Sequence, residues 1–140
     1  MVQLVIGEKG KGKTKYLLDK VNSEVKTVSG NIVYLDKSTK HMFELNNKVR
    51  LIDVSEYGFS ESAEFIGFVG GIISQDHDLE QVYCDSFLKI AQIDEDADIA
   101  PVIERLELLG DKFNVNFILS VSCSLDNLAD TLKSKVIYEL

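Results

Sequence analysis

Eight consecutive residues near the start of the chain carry its densest chemistry: Gly7-Glu8-Lys9-Gly10-Lys11-Gly12-Lys13-Thr14. Gly7, Gly10 and Gly12 permit backbone conformations and close approaches that a Cβ obstructs. A turn built this way can aim successive backbone N–H groups inward and form a nest for an oxyanion. A helix opening near Lys13 adds its own unpaired N–H groups and the positive end of its dipole at the same point. Lys13 then has the reach to touch the outer phosphates of a polyphosphate, and the Thr14 hydroxyl suits Mg²⁺. Lys9, Lys11, Lys13 and Lys15 set four like charges within seven residues, a repulsion that a bound polyanion turns into attraction. The expected phosphate-contacting segment is therefore Gly7, Glu8, Lys9, Gly10, Lys11, Gly12, Lys13, Thr14 and Lys15. A solvated Gly/Lys turn is the competing reading, and context argues against it. An apolar run precedes the segment and an apolar-periodic one follows.

The elements that must hold such a loop can be read from the apolar pattern. Residues 2–6 form a β-branched run ending in Gly7, as a buried strand does. Leu17, Leu18, Val21 and Val25 recur at helical spacing, which predicts a helix over 13–24. Strands are expected at 31–36, 48–54, 79–85, 115–121 and 136–140, and the polar stretch 37–47 takes no assignment. Ser60 is a candidate cap for a helix with Glu61 and Glu64 in its first turn and Phe65, Val69, Ile72 and Ile73 on one face, weakened by Gly70-Gly71. Residues 94–98 read as an acidic turn. Pro101 suits a first helical position ahead of Val102, Ile103, Leu106 and Leu109. Ser124 or Asp126 would cap a last helix carrying Leu125, Leu128, Ala129 and Leu132. Strands that are continuous apolar runs, alternating with helices, predict an α/β fold with a mostly parallel sheet of five or six strands and helices on both faces.

Residues 1–25 resemble the opening strand, Walker A loop and first helix of the P-loop NTPase superfamily, since the loop fits G-x-x-x-x-G-K-[ST] at every fixed position. The strand–helix alternation extends the resemblance loosely over the whole chain, as one domain covering 1–140 in a three-layer sandwich. The resemblance implies a nucleoside triphosphate with Mg²⁺ at the carboxyl ends of the strands. It also implies an apolar strand ending in an aspartate that helps hold the metal. Asp85, after Val82-Tyr83-Cys84, is the preferred candidate, and Asp53, after Leu51-Ile52, is the alternative. The catalytic candidates are thus Lys13 and Asp85, with Asp36 at the end of the second strand as a weaker third that would orient water or a substrate hydroxyl.

Departures from the pattern bear on activity. In the subgroup with an additional strand between the Walker A and Walker B strands, a glutamate commonly follows the aspartate and activates water; here Ser86 stands there. Ser122 and Ser124 resemble that subgroup's polar sensor position, although a serine such as Ser124 also suits a helix cap. Arg50, in a strand, and Arg105, in mid-helix, are the only arginines, and neither is placed as an arginine finger. His41 and His77 lack a second ligand at metal-binding spacing, so zinc is not expected. Guanine-reading N-K-x-D is absent, because Asn47-Lys48-Val49-Arg50 lacks the aspartate, and ATP is the default over GTP. These features favour a slow ATPase or nucleotide-dependent switch working with a protein partner or a second copy. A small-molecule or nucleotide kinase, and a non-catalytic domain with a relic loop, stand as alternatives.

Composition sets outer bounds. At 45% hydrophobic and 27% charged residues, the 140-residue chain has the makings of one ordinary core. Its net charge of −8 is unevenly spread: residues 1–50 hold ten Lys/Arg against five Asp/Glu, and 51–140 hold five against eighteen. An acidic protein is a poor general binder of nucleic acid, where basic neutralisation of phosphates supplies most of the affinity. No apolar run approaches the ~20 residues of a bilayer span, and no basic leader precedes the first apolar run, so a cytoplasmic location without membrane contact is expected. Cys84 and Cys123 lie in apolar runs and read as free buried thiols.

Overall fold

The first strand, β1 (Val2–Gly7), is apolar on both of its faces, and the fold buries both. Leu4 and Ile6 point into one core and Val5 into the other. The computed structural model describes residues Met1–Leu140. After β1 come α1 (Lys13–Glu24), β2 (Asn31–Asp36), β3 (Val49–Asp53), α2 (Ser62–Gln75), β4 (Leu79–Cys84), a short α3 (Phe87–Ile90), α4 (Ala100–Phe113), β5 (Asn116–Ser122), a short α5 (Asp130–Lys133) and β6 (Val136–Glu139). The six strands form one sheet in the order β3-β2-β4-β5-β1-β6, and every pairing is parallel.

Two apolar layers enclose the sheet. The larger contains Leu4, Ile6, Val33, Leu35, Val82 and Phe117 with Phe65 and Val69 of α2 and Ile103 and Leu106 of α4. The smaller contains Val5, Ile32, Tyr34, Tyr83 and Ile118 under Leu17, Leu18 and Val21 of α1. Successive strand residues alternate between layers, which is why these strands read as unbroken apolar runs. Burial of both faces also explains the choice of a parallel sheet, whose crossover helices cover it on two sides.

Some sequence expectations change. No single helix follows β5: a 3₁₀ turn at Leu125–Asn127 and the four-residue α5 replace it. Leu128 between them is extended, at φ −84° and ψ 138°, yet both it and Leu132 are buried. Two short turns thus bring the apolar side chains inward while steering the chain back to β6. Ser124 precedes the first turn without any side-chain capping bond. Glu61, not Ser60, precedes α2, and the Ser60 hydroxyl instead donates to Glu64 Oε1 at 2.9 Å. The Gly70-Gly71 pair does not interrupt α2. Residues 37–47 contain a 3₁₀ turn at Met42–Glu44. Cys84 is buried and Cys123 half-buried, and both are free thiols. No helix is long and apolar enough to cross a membrane.

Candidate functional site

Because all six strands run the same way, their carboxyl ends meet along one edge of the sheet. A cleft of about 540 Å³ opens there, lined by Gly10, Gly12, Lys13 and Thr14 from the first loop and by Asp85, Ser86, Ser120 and Ser122 from the strand ends. In open α/β sheets such a crevice is where ligands bind. The strand bearing the loop and the strand leading to Asp85 are separated by β5.

The loop has the geometry that its glycines suggested. Gly12 takes φ 103° immediately before α1, a conformation that L side chains rarely adopt, and Lys13 is the first helical residue. Gly7 is needed for a close approach: a Cβ there would lie 3.0 Å from both Cβ and O of Leu140. From Lys9 to Gly12, only the Lys11 N–H has a backbone acceptor, Glu8 O at 3.4 Å. The other N–H groups of that stretch are available to an anion. Lys13 lies along its own loop, and Nζ donates to Gly7 O at 2.8 Å and Glu8 O at 3.0 Å. Burial lowers its pKa, against the opposing pull of Asp85.

Asp85 is the hub of the opposite wall. Its Oδ1 accepts from Thr14 Oγ1 at 3.2 Å, from Ser120 Oγ at 2.9 Å and from the Ser86 N–H at 2.9 Å. Its Oδ2 accepts from Tyr34 OH at 2.9 Å, and its own N–H donates to Leu35 O at 2.9 Å. Ser120 Oγ in turn accepts from the Ser86 N–H at 2.8 Å. Burial and the adjacent carboxylate raise the Tyr34 pKa, which keeps the phenol a donor.

Asp36 ends β2 next to this hub and is buried. Its Oδ1 accepts from the Lys37 N–H at 2.7 Å, whereas Oδ2 is a buried acceptor with no partner. Desolvation first, and the charge of Asp85 second, raise its pKa from the ordinary 3.8 to about 6.

The other expected residues scatter. Lys9 lines the cleft and pairs with Glu95 at 3.0 Å. Glu8 contributes its carbonyl to Lys13, while Lys11 and Lys15 are exposed outside the cleft lining and Lys15 pairs with Asp19 at 3.1 Å. Asp53 ends edge strand β3, where Oδ1 holds the Ser55 N–H at 3.0 Å and its hydroxyl at 2.6 Å; it lies outside the cleft lining. Ser122 lines the cleft and Ser124 does not, and neither Arg50 nor Arg105 reaches it. His41 lines it and contacts Glu44 Oε1 at 2.9 Å.

Sequence reading missed Tyr34 and Ser120, which hold Asp85, and Lys37 and Lys89, which line the cleft. Ser120 left one trace, a polar residue inside the apolar run of β5. Tyr34 left none, because an aromatic residue in a buried strand reads as core.

Thr14 Oγ1, Asp85 Oδ1 and the orphaned Asp36 Oδ2 supply hard oxygen donors of the kind that suit Mg²⁺. No cluster of three His, Cys, Asp or Glu side chains gathers anywhere in the chain. A cation here would need ligand oxygens from a bound phosphate, as Mg²⁺ at phosphate sites does.

Among solved structures, the flagellar accessory protein FlaH of Methanocaldococcus jannaschii matches 95% of this chain with a TM-score of 0.60 at 10% identity. The fold is P-loop NTPase-like. The chain spans 65% of that structure's length, and at such identity the likeness bears on fold alone. No family model matches the chain, and no curated protein matches it in sequence.

Proposed function

We propose that residues 1–140 form a single ATP-binding P-loop domain that hydrolyses its nucleotide slowly and acts as a switch for a protein partner. One observation carries the reading: a glycine-built loop opens α1 with Lys13 and Thr14, and the Thr14 hydroxyl meets Asp85 at 3.2 Å across the sheet edge. The loop N–H groups and the first turn of α1 would hold the phosphates, and Lys13 would exchange its two carbonyl acceptors for phosphate oxygens. Thr14 and Asp85 would hold Mg²⁺, which when bound supplies charge neutralisation at the outer phosphates.

The slow rate follows from what surrounds these groups. Ser86 stands where a water-activating glutamate would be, and no arginine lines the cleft. Asp36, buried just behind the cleft lining, is the candidate to take a proton from a nucleophile, because Oδ2 is unpartnered and its proton affinity suits neutral pH. Its burial limits access to water until a partner or ligand rearranges the rim. ATP rather than GTP rests on the missing N-K-x-D. The excess of acid after residue 50 offers the surface for a basic protein partner.

Thermal unfolding of wild type and Lys13→Ala, each with Mg²⁺ and ATP, GTP or no nucleotide, tests this. At a hundred times Kd, ATP should stabilise wild type by about 2.7 kcal/mol. Lys13→Ala should lose the shift while keeping its unliganded stability. A folded wild type that no nucleotide stabilises would remove the proposal. A shift with GTP alone would reverse the base assignment. Phosphate release without any added acceptor would distinguish hydrolysis from transfer.

A further inference from the structure

The cleft has a second set of cations that the reading above does not use. Lys37 follows the end of β2 and Lys89 sits in α3, far apart in sequence. Both line the main cleft, and both line a smaller pocket of about 230 Å³ beside it; they are the only residues common to the two. Lys9, Lys15, Lys20, Lys133 and Lys135 each have a carboxylate within ion-pair distance. Lys37 and Lys89 have none, and neither does Lys40, which lines the main cleft but not the smaller pocket. Of the nearby acids, Glu95 is engaged by Lys9, and Asp36 is buried with Oδ1 held by the Lys37 backbone N–H.

Two ammonium groups gathered at one junction repel each other, and the carboxylates around them, Asp36 and Glu95, form no ion pair with either. The charges of Lys37 and then Lys9 hold Lys89 below the ordinary lysine range. A doubly charged oxyanion between them would reverse the sign of the interaction. The small pocket behind the pair mixes Val54, Phe59 and Ile90 with Ser55 and Gln92, a lining suited to a small molecule with a polar end.

We propose that Lys37 and Lys89 form a second phosphate-binding clamp on the β2–β4 side of the cleft, which takes a phosphate-class dianion. The dianion is either the terminal phosphoryl group of the nucleotide held by the first loop or the phosphate of a separate small molecule seated in the side pocket. The first source rests on the ATP-binding reading, and the second does not. With the first, the clamp supplies in cis the positive charge that Arg50 and Arg105 are too distant to give. With the second, it places an anionic acceptor beside Asp36.

Calorimetric titration of the full chain separates these sources. Wild type, Lys37→Ala, Lys89→Ala and the double variant would each receive Mg-ATP, Mg-ADP, and inorganic phosphate with and without saturating Mg-ADP. Both lysines are exposed, and unliganded melting should confirm that the variants fold. Loss of one charge-assisted contact should weaken binding roughly tenfold. A tenfold loss for ATP with ADP within about twofold would assign the nucleotide's own terminal phosphate. Unchanged nucleotide affinities, with phosphate binding lost from the variants, would assign a separate anion. Lys→Arg at either position should retain most of the affinity. If wild type binds ATP and the variants match it for every ligand, the clamp is overturned and the nucleotide reading stands. If wild type binds no nucleotide, lysine-dependent phosphate binding would keep the clamp alone, and no phosphate binding would overturn both.

Discussion

The two walls of the cleft are built by opposite means. The loop wall is eight contiguous residues, and its groups are backbone N–H donors and cations with little buried behind them. The Asp85 wall is assembled from three chain segments. Tyr34 comes from β2, Asp85 and Ser86 follow β4, and Ser120 comes from β5, all joined through one carboxylate. Beside it Asp36 is buried with an unpartnered oxygen near a like charge. The loop wall gains from a ligand without costing the fold much. The Asp85 wall holds unfavourable charge that the rest of the fold must offset, as functional sites commonly do.

The largest expected break in this contrast comes from Asp36. Its folded pKa of about 6 lies above the unfolded value near 3.8, so the folded state binds the proton more tightly. Stability from this group is therefore full at low pH and falls as pH rises through the window from about 4 to about 6, by up to about 3 kcal/mol. In metal-free buffer, subtracting the melting profile of Asp36→Asn from that of wild type isolates the effect from other carboxylates. The variant should be more stable at pH 7, with the difference vanishing near pH 4. A pH-independent difference would show that Asp36 ionises normally. It would also remove the stored charge from the comparison.

Asp85→Asn sharpens the same point. Asp85 is the second cause of the Asp36 shift after desolvation, so removing its charge should recover part of the Asp36 cost at pH 7. An asparagine oxygen still serves Thr14, Ser86 and Ser120, and its amide faces a Tyr34 hydroxyl that can accept. The variant should thus melt higher without ligand and flatten the pH slope, yet lose the Mg²⁺ dependence of nucleotide binding. A gain in stability with loss of function is the expected trade at such a site. A variant that melts lower would mean that the hydrogen bonds outweigh the repulsion.

This contrast also explains what the sequence disclosed. The loop, β1, α1 over 13–24 and β2 over 31–36 were readable because glycine spacing and apolar period are local signals. The all-parallel sheet followed from apolar runs too continuous for one-sided burial. The Tyr34–Asp85–Ser120 network was not readable, since it depends on strand order β2-β4-β5-β1, which brings distant strand ends together. The segment after β5 misled for a related reason: Leu125, Leu128 and Leu132 have helical spacing, but the need to return the chain to β6 divides them between two turns. Tyr34→Phe tests the hidden network with a smaller effect. Losing the bond to Asp85 Oδ2 should cost about 1 kcal/mol, and it leaves a buried carboxylate oxygen short of a donor. Double-mutant melting with Asp85→Asn should show a non-zero coupling, whereas strict additivity would mean that the 2.9 Å contact contributes nothing.

The smallest effect belongs to Ser86, next to Asp85, where the walls meet through Thr14. Ser86 takes φ 53° and ψ 52°, a left-handed conformation, and leads directly into α3 and Lys89. Such a conformation costs a non-glycine residue about 1–2 kcal/mol, and glycine's greater unfolded entropy offsets about 0.5–1 of that. Ser86→Gly should therefore stabilise the fold by roughly 0.5 kcal/mol, since both bonds made by the Ser86 N–H survive. Asn114, with a similar φ of 58° at the end of α4, is the control: asparagine tolerates this region, so Asn114→Gly should gain less. If Ser86→Gly gains stability and nucleotide affinity is unchanged, the strain is a by-product of turning the chain into α3. A gain matched by weaker ATP binding would mean that the serine's stiffness holds α3, and with it Lys89, at the cleft.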